Sequence, residues 1–450
     1  MFLLAVLLSS LATVPQPVRP VDGQSIMFGQ ATARLDGPWR FHAGDNPAWS
    51  TTGFDDSKWE NVSLAAAQGS HDADVGLSDY VTGWGARGHR GLSGYGWYRL
   101  HLHVDVPHGQ SLTIAGPPAV DSAYQIFWNG QLLGSAGDFR NAPPRAFSIR
   151  PRIFAIDQSS VGRGDGTDVL AVRVWMGPWE LADPQGGGIR IAPTLGTAAA
   201  IKHVYQSEWI ETLRGYIVEV AEAVGFAILC LALWLVSRFD RRLQQYRWFY
   251  AAFLLTGAYR LNQAIFFWGQ FESVPVFECI SLGLMYPLAL SAWTISWARL
   301  VAFRNKLWTR AFVAITLVYL SVALTQHAIL SRLAQPAHET ILHAVAVFCR
   351  MFYLASTAWF LFKLLRSQCR YRWALAWLIV LASVGQFATE LSQIGVPGIW
   401  FPFGTGVSRA QFAYALFLVI APTLLCLHYL GLTRERRREH APQISARTMP

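Results

Sequence analysis

The sequence predicts a multi-domain membrane protein: an all-β sandwich outside the membrane, followed by a seven-helix transmembrane bundle. Three observations predict it. Of 450 residues, 52% are hydrophobic and 14% charged, against about 25% charged in a typical soluble domain. Residues 21–205 hold short apolar runs separated by Gly, Pro, Asn and Asp clusters, the punctuation of an all-β region. From residue 216 the apolar runs lengthen to 20–22 residues, and about 20 helical residues cross a hydrocarbon core of about 30 Å.

This composition excludes a disordered chain and a single soluble domain. The net charge of +9 would suit a nucleic-acid partner, but its distribution excludes one. Residues 21–205 carry 14 Lys/Arg against 17 Asp/Glu, and residues from 206 on carry 22 against 11. The basic excess therefore sits in the apolar half.

Taken in order, residues 2–12 (FLLAVLLSSLA) are too short to span a bilayer. They read as the apolar part of a signal peptide over 1–20, with Ser10 and Ala12 as small residues near a cleavage point. The β region covers 21–205. Strands are expected at 38–42, 97–105, 111–115, 124–128, 147–154 and 169–175. Asn129-Gly130 supplies a tight hairpin turn, because both residues tolerate positive φ. Residues 206–215 read as a linker. Within 216–430, spans are expected at 216–236, 248–268, 277–298, 311–330, 342–362, 373–393 and 411–430, followed by a basic tail over 431–450.

Charge orients these spans. The loops 237–247, 299–310 and 363–372 and the tail hold 17 Lys/Arg, whereas the opposite loops hold only Arg332 and Arg409. Positive loops stay inside, so the tail is expected in the cytoplasm and the β region outside. Trp248, Trp268, Trp297, Trp308, Trp373 and Trp400 fall near span ends, where interfacial aromatics belong. Five cysteines (Cys230, Cys279, Cys349, Cys369 and Cys426) all lie in the apolar half, so the β region folds without disulfides. No Cys/His spacing suits a metal, and neither metal nor cofactor is expected.

The segment LDGPWRFHAGDNPAWSTTGFDDSKWENVSL (35–64) resembles the N-terminal sugar-binding jelly roll of family 2 glycoside hydrolases. Leu35, Gly37, Trp39 and Phe41, then Phe54, Asp55, Asp56, Ser57 and Trp59, stand at the motif positions. Trp97-Tyr98-Arg99, YQIFWNGQLLGSAG (124–137) and DVLAVRV (168–174) extend the likeness. The resemblance implies a galactose-binding-like jelly-roll sandwich. Those hydrolases carry their catalytic acids on a separate barrel, for which this chain has no room. Asp55 and Asp56 are adjacent, so in a strand they would face opposite sides. A binding module with no catalytic residues is therefore expected. A jelly roll joined to seven spans resembles the bacterial seven-transmembrane receptors with diverse intracellular signalling modules. That likeness implies a multi-pass protein of the bacterial inner membrane and allows a homodimer. Only about 20 residues follow the last span, too few for an output module, so either output would pass to a separate cytosolic protein or the chain is a truncated or degenerate member.

Two candidate sites follow. The Gly-rich stretch 70–97 carries His71, Asp72, Asp74, Trp84, Arg87, His89 and Tyr95, which offer an aromatic face and hydroxyl-binding groups for a sugar. Within the spans, Glu219, Glu222, Arg260, Glu278, Arg350 and Glu390 are ionisable groups where such groups are rare. They are expected to form one ion-paired coupling cluster facing the bundle interior. The expected function is a membrane sensor that binds a carbohydrate or related ligand outside. A membrane-anchored glycoside hydrolase relative and a transporter are the alternatives.

Overall fold

The computed structural model describes residues 24–27, 32–73, 76–105, 110–162, 166–178, 185–239, 247–329, 336–369, 371–401 and 406–445. The signal-peptide stretch 1–20 and Asp74 lie outside the described residues.

The N-terminal half is β-rich. Its larger sheet runs in the order β4 (Glu60–Val62), β3 (Trp39–Ala43), β5 (Gly94–Asp105), β11 (Asp168–Met176), β8 (Ala123–Trp128) and β9 (Gln131–Ala136). Strand β1 (Gln24–Met27) pairs parallel with β5. The smaller sheet runs β10 (Ile153–Ala155), β6 (Leu112–Ala115), β13 (Thr194–Thr197), β2 (Thr32–Arg34). Two short strands, β7 (Val120–Asp121) and β12 (Gly188–Ile189), pair apart from both.

One core joins the two sheets. Trp39, Phe41, Tyr98, Leu100, Leu102, Tyr124, Ile126, Val172 and Val174 point into it from the larger sheet, and Leu112, Ile114, Phe154 and Leu195 from the smaller. These residues alternate along their strands, as a period of two requires. Between β8 and β9, Asn129 and Gly130 make the expected turn with φ of +49° and +85°.

Part of the outer face of β5 is covered. Residues 45–59 fold back over it, so that Trp97 is 1% and Arg99 0% exposed. Trp49, Phe54 and Phe127 pack there around Trp59, Trp97 and Ala171. Arg99 anchors this cover. Its Nε donates to Asp56 Oδ2 at 2.7 Å, and Nη1 donates to the carbonyls of Trp49 and, at 2.9 Å, of Thr51. His101 Nε2 lies 2.9 Å from the same Asp56 oxygen. Asp55, by contrast, is exposed and accepts from Ser57 alongside it.

The C-terminal half is helical: α1 (Ala198–Phe239), α2 (Trp248–Trp268), α3 (Val274–Glu278), α4 (Tyr286–Leu300), α5 (Lys306–Leu324), α6 (Pro336–Leu365), α7 (Arg372–Gln386), α8 (Ala388–Gln393) and α9 (Arg409–Ser445). A π-helical turn, Cys279–Met285, joins α3 to α4, and Pro287, which has no N–H to continue the ladder, is the second residue of α4.

Among the described residues, five helices are long and apolar enough to cross a membrane: Ala198–Arg238, Val274–Leu300, Lys306–His327, Ile341–Leu365 and Arg409–Leu427. The expected spans at 248–268 and 373–393 are helical but fall short of that measure. The first carries Thr256, Arg260, Asn262 and Gln263. The second breaks at Phe387 into α7 and α8.

Two further expectations are corrected. Residues 206–215 are not a linker, because α1 begins at Ala198, directly after β13 ends at Thr197, and continues for 42 residues. At 1.5 Å per residue that is a rod of about 63 Å. Of the expected strand 147–154, only Ile153–Phe154 fall in a strand, β10. The residues before it spend their polar groups on the helical half. Ser148 Oγ donates to Gly269 O at 3.1 Å, Arg150 Nη1 to Trp268 O at 3.1 Å, and Arg152 Nη2 to Gln270 Oε1 at 3.3 Å. Val274 N donates to Ala146 O at 3.0 Å.

Candidate functional site

The residues expected to form a single ligand loop are dispersed. His71 and Asp72 form a foot on the helical half. Asp72 caps its own turn by accepting from the Leu77 amide. The His71 ring lies 5.0 Å from that of Phe401, and Leu77 packs with Tyr216, Ala264 and Trp268. Trp84 is 2% exposed and stacks in the core, its ring 5.7 Å from Phe41 and lying over Gly187. It is a core residue, not a stacking platform. Arg87 donates to Thr82 O at 3.1 Å, and His89 Nε2 is 2.8 Å from Glu60 Oε2 near the β3–β4 edge. Tyr95 alone stands on the outer face of the larger sheet.

Around Tyr95 lies a constellation absent from the expected set. On β5, β11, β8 and β9, the residues Trp97, Arg173, Gln125 and Ser135 are register partners across the sheet. Each points away from the core because its strand neighbours point inward. Arg173 is held on three sides. Its Nε donates to Asp45 Oδ1 at 2.8 Å, its Nη1 to Gln125 Oε1 at 2.7 Å, and the Tyr95 ring centroid is 4.1 Å from its guanidinium. Trp97 Nε1 also donates to Asp45 Oδ1, at 3.1 Å.

Beyond Gln125 the floor opens into a cleft of about 440 Å³ lined by Gln125, Ser135, Gly137, Asp138, Phe139 and Arg140. Arg140 forks onto Asp138 through Nε and Nη2, both at 2.9 Å. Those hydrogen bonds hold the Asp138 carboxyl down to about 2. The sequence signal for Gln125 and Arg173 was their alternation with core residues in YQIF and VRVW. Asp45, Asp138 and Phe139 reach the place through turns, which leave no periodic signal.

The cleft wall reaches the helical half. Tyr95, Phe139 and Trp175 cluster with Ala123, Ala146 and Val274, the first residue of α3.

Within the helices the expected coupling cluster resolves into three groups. Arg260 pairs with Glu219 at 2.9 Å and Glu222 at 2.8 Å, and its Nη1 donates to Gln263 Oε1 at 2.9 Å. The three charged residues are 2–4% exposed. Arg350 pairs with Glu390. Glu278 stands apart, 3.4 Å from His327 Nδ1. Aromatic rings link the first two groups. Tyr259 packs on Tyr286 at 6.2 Å, and Arg350 faces the Tyr286 ring at 5.9 Å. The i, i+3 spacing does put Glu219 and Glu222 on one face toward Arg260.

No protein-family model matches the chain, and no curated protein matches it. Solved structures match its N-terminal 37%. A β-glucuronidase from Bacteroides uniformis is 22% identical with a TM-score of 0.26, over 37% of this chain and 17% of that one. A glycosyl hydrolase family 2 member from Bacteroides cellulosilyticus is 21% identical with a TM-score of 0.24, over 37% and 20%. A β-glycosidase from Bacteroides vulgatus is 17% identical with a TM-score of 0.23, over 37% and 20%. The chain thus spans about a fifth of the length of these structures, and a likeness of this size carries no argument about activity.

Proposed function

We propose that the chain is a membrane sensor. In this reading the β half lies outside and binds a ligand of the carbohydrate class. The helical segments at 248–268 and 372–393 cross the bilayer with the other five, and the basic C-terminal side faces the cytoplasm, where a separate protein takes the output.

The observation that carries the reading is the join between the halves. Strand β13 passes into α1 without a linker, the 146–152 segment is hydrogen-bonded to 268–274, and the cleft wall shares a cluster with the start of α3. A displacement in the β half is transmitted to helix ends through packed contacts of this kind. The ion pairs of Arg260 and Arg350 offer groups that can exchange partners when helices shift.

Binding rather than turnover fits the cleft, because glycoside hydrolysis uses two carboxyl groups flanking the bond. Here Asp45 and Asp138 are each tied to an arginine. The test is a glycan-array screen of the full chain in lipid nanodiscs, with melting temperature followed in parallel. At least one glycan binds saturably and raises the melting temperature. A folded preparation that binds none overturns the reading.

A further inference from the structure

We infer that Glu219, Glu222 and Arg260 form a proton-binding site inside the helices, with one proton shared between the two carboxyls. The inference rests on the spanning arrangement proposed above and on no external ligand.

One guanidinium stands against two carboxyls. Arg260 Nε donates to Glu222 Oε2 at 2.8 Å, and its Nη2 lies 2.9 Å from Glu219 Oε1. All three residues are 2–4% exposed. On the outward face of α1, Ile217 and Val224 flank the pair in sequence and are 56% and 53% exposed, so lipid borders the helix at this level. Two carboxylates on one guanidinium would leave a net negative charge in a dry interior. Such charge is costly, and each carboxylate raises the proton affinity of the other.

The neighbours do not cancel that charge. Gln263 accepts from Arg260 Nη1, and its Nε2 is 3.4 Å from the Tyr259 hydroxyl. The Tyr414 ring on α9 lies 5.9 Å from the guanidinium, and Tyr286 packs on Tyr259. These are neutral groups. Arg350 is paired with Glu390, and Arg409 is bound by the carbonyls of Ala388, Val396 and Pro397 and by Ser392. Arg214 is exposed.

Glu222 carries an independent sign. Its Oε1 is buried with no hydrogen-bond partner among the described residues. An orphaned oxygen costs a neutral carboxyl far less than an ionised one, whose lone pairs all seek donors. The proton belongs to the coupled pair rather than to either residue.

The experiment is infrared difference spectroscopy of the full chain in nanodiscs as pH is raised from neutral to alkaline. A protonated-carboxyl stretch, shifted in heavy water, is present at neutral pH and is lost in both Glu219→Gln and Glu222→Gln, because the remaining carboxyl pairs with Arg260 as an anion. Each single variant keeps the net charge and melts as the unsubstituted chain does. The double variant leaves Arg260 uncompensated and melts earlier. Glu208 and Glu390 are further shielded carboxyls, so the readout is the part of the signal lost on substitution. A signal that neither variant reduces overturns the site. A signal present in choline chloride and absent in sodium chloride makes the occupant a metal cation and overturns the proton. A chain that alkaline carbonate strips from membranes overturns the spanning arrangement, and this inference with it.

Discussion

Replacing Asp56 with Asn removes one charge from a buried pair and changes little else in shape. Arg99 is fully buried, so its charge cannot be rehydrated without opening the sandwich. It donates to Asp56 and to backbone carbonyls of the covering segment. Those carbonyls cannot balance a full positive charge. Removing one partner of a buried pair costs about 3–5 kcal/mol, and for a region of this size that lowers the melting temperature by about 6–20 °C.

The assay is thermal unfolding of the full chain in nanodiscs, read by tryptophan fluorescence, since Trp49, Trp59 and Trp97 all lie in the covered patch. The same carboxylate predicts an acid limb. Burial raises its pKa, and the hydrogen bonds from His101 and Arg99 outweigh that, so the folded value lies below the ordinary one. A carboxyl depressed on folding stabilises fully above its unfolded value, about 3.9. It loses that stabilisation as pH falls through the lower folded value. The Asn variant therefore converges on the unsubstituted chain below about pH 4. A melting temperature within about 2 °C of the unsubstituted chain at pH 7, a change of under 1 kcal/mol, would refute the reasoning.

Three further predictions concern other parts of the fold. Arg260→Met removes the cation that Glu219 and Glu222 share inside the helices, costing about 3–5 kcal/mol. The yield of folded protein drops, and the triple neutral variant with Glu219→Gln and Glu222→Gln recovers part of it. Gly187→Ala places a Cβ 1.9 Å from Trp84 Nε1 at a φ of +100°, so the β half melts earlier by about 2 kcal/mol or more. Arg150→Ala removes the bond to Trp268 O and the stacking on Trp209. It speeds amide exchange over 266–274 while leaving the sandwich core protected.

Local rules made much of this legible. Alternation marked the inward faces of β3, β5, β8 and β11, and Asn129-Gly130 marked a hairpin because few other pairs accept positive φ twice. Hydropathy marked the long helices. Contacts distant in sequence were hidden. Nothing in residues 45–59 announces that they cover Trp97 and Arg99. Nothing in SIRPR (148–152) distinguishes a strand from an extended segment that bonds to 268–270. Residues 206–215 lie between the β region and the first long apolar run and so read as a linker, yet α1 runs straight through them. The coupling cluster was half legible: helical spacing put Glu219 and Glu222 together, but only packing separates Glu278, which turns to His327.

The most direct test of the central claim, that binding at the β half is felt by the helices, is amide exchange on the full chain in nanodiscs. It is measured with and without a saturating glycan from the array. The account predicts slowed exchange at 135–140 accompanied by altered exchange at 146–152 and 268–280. Protection confined to the sandwich, with 268–280 unchanged, would contradict it.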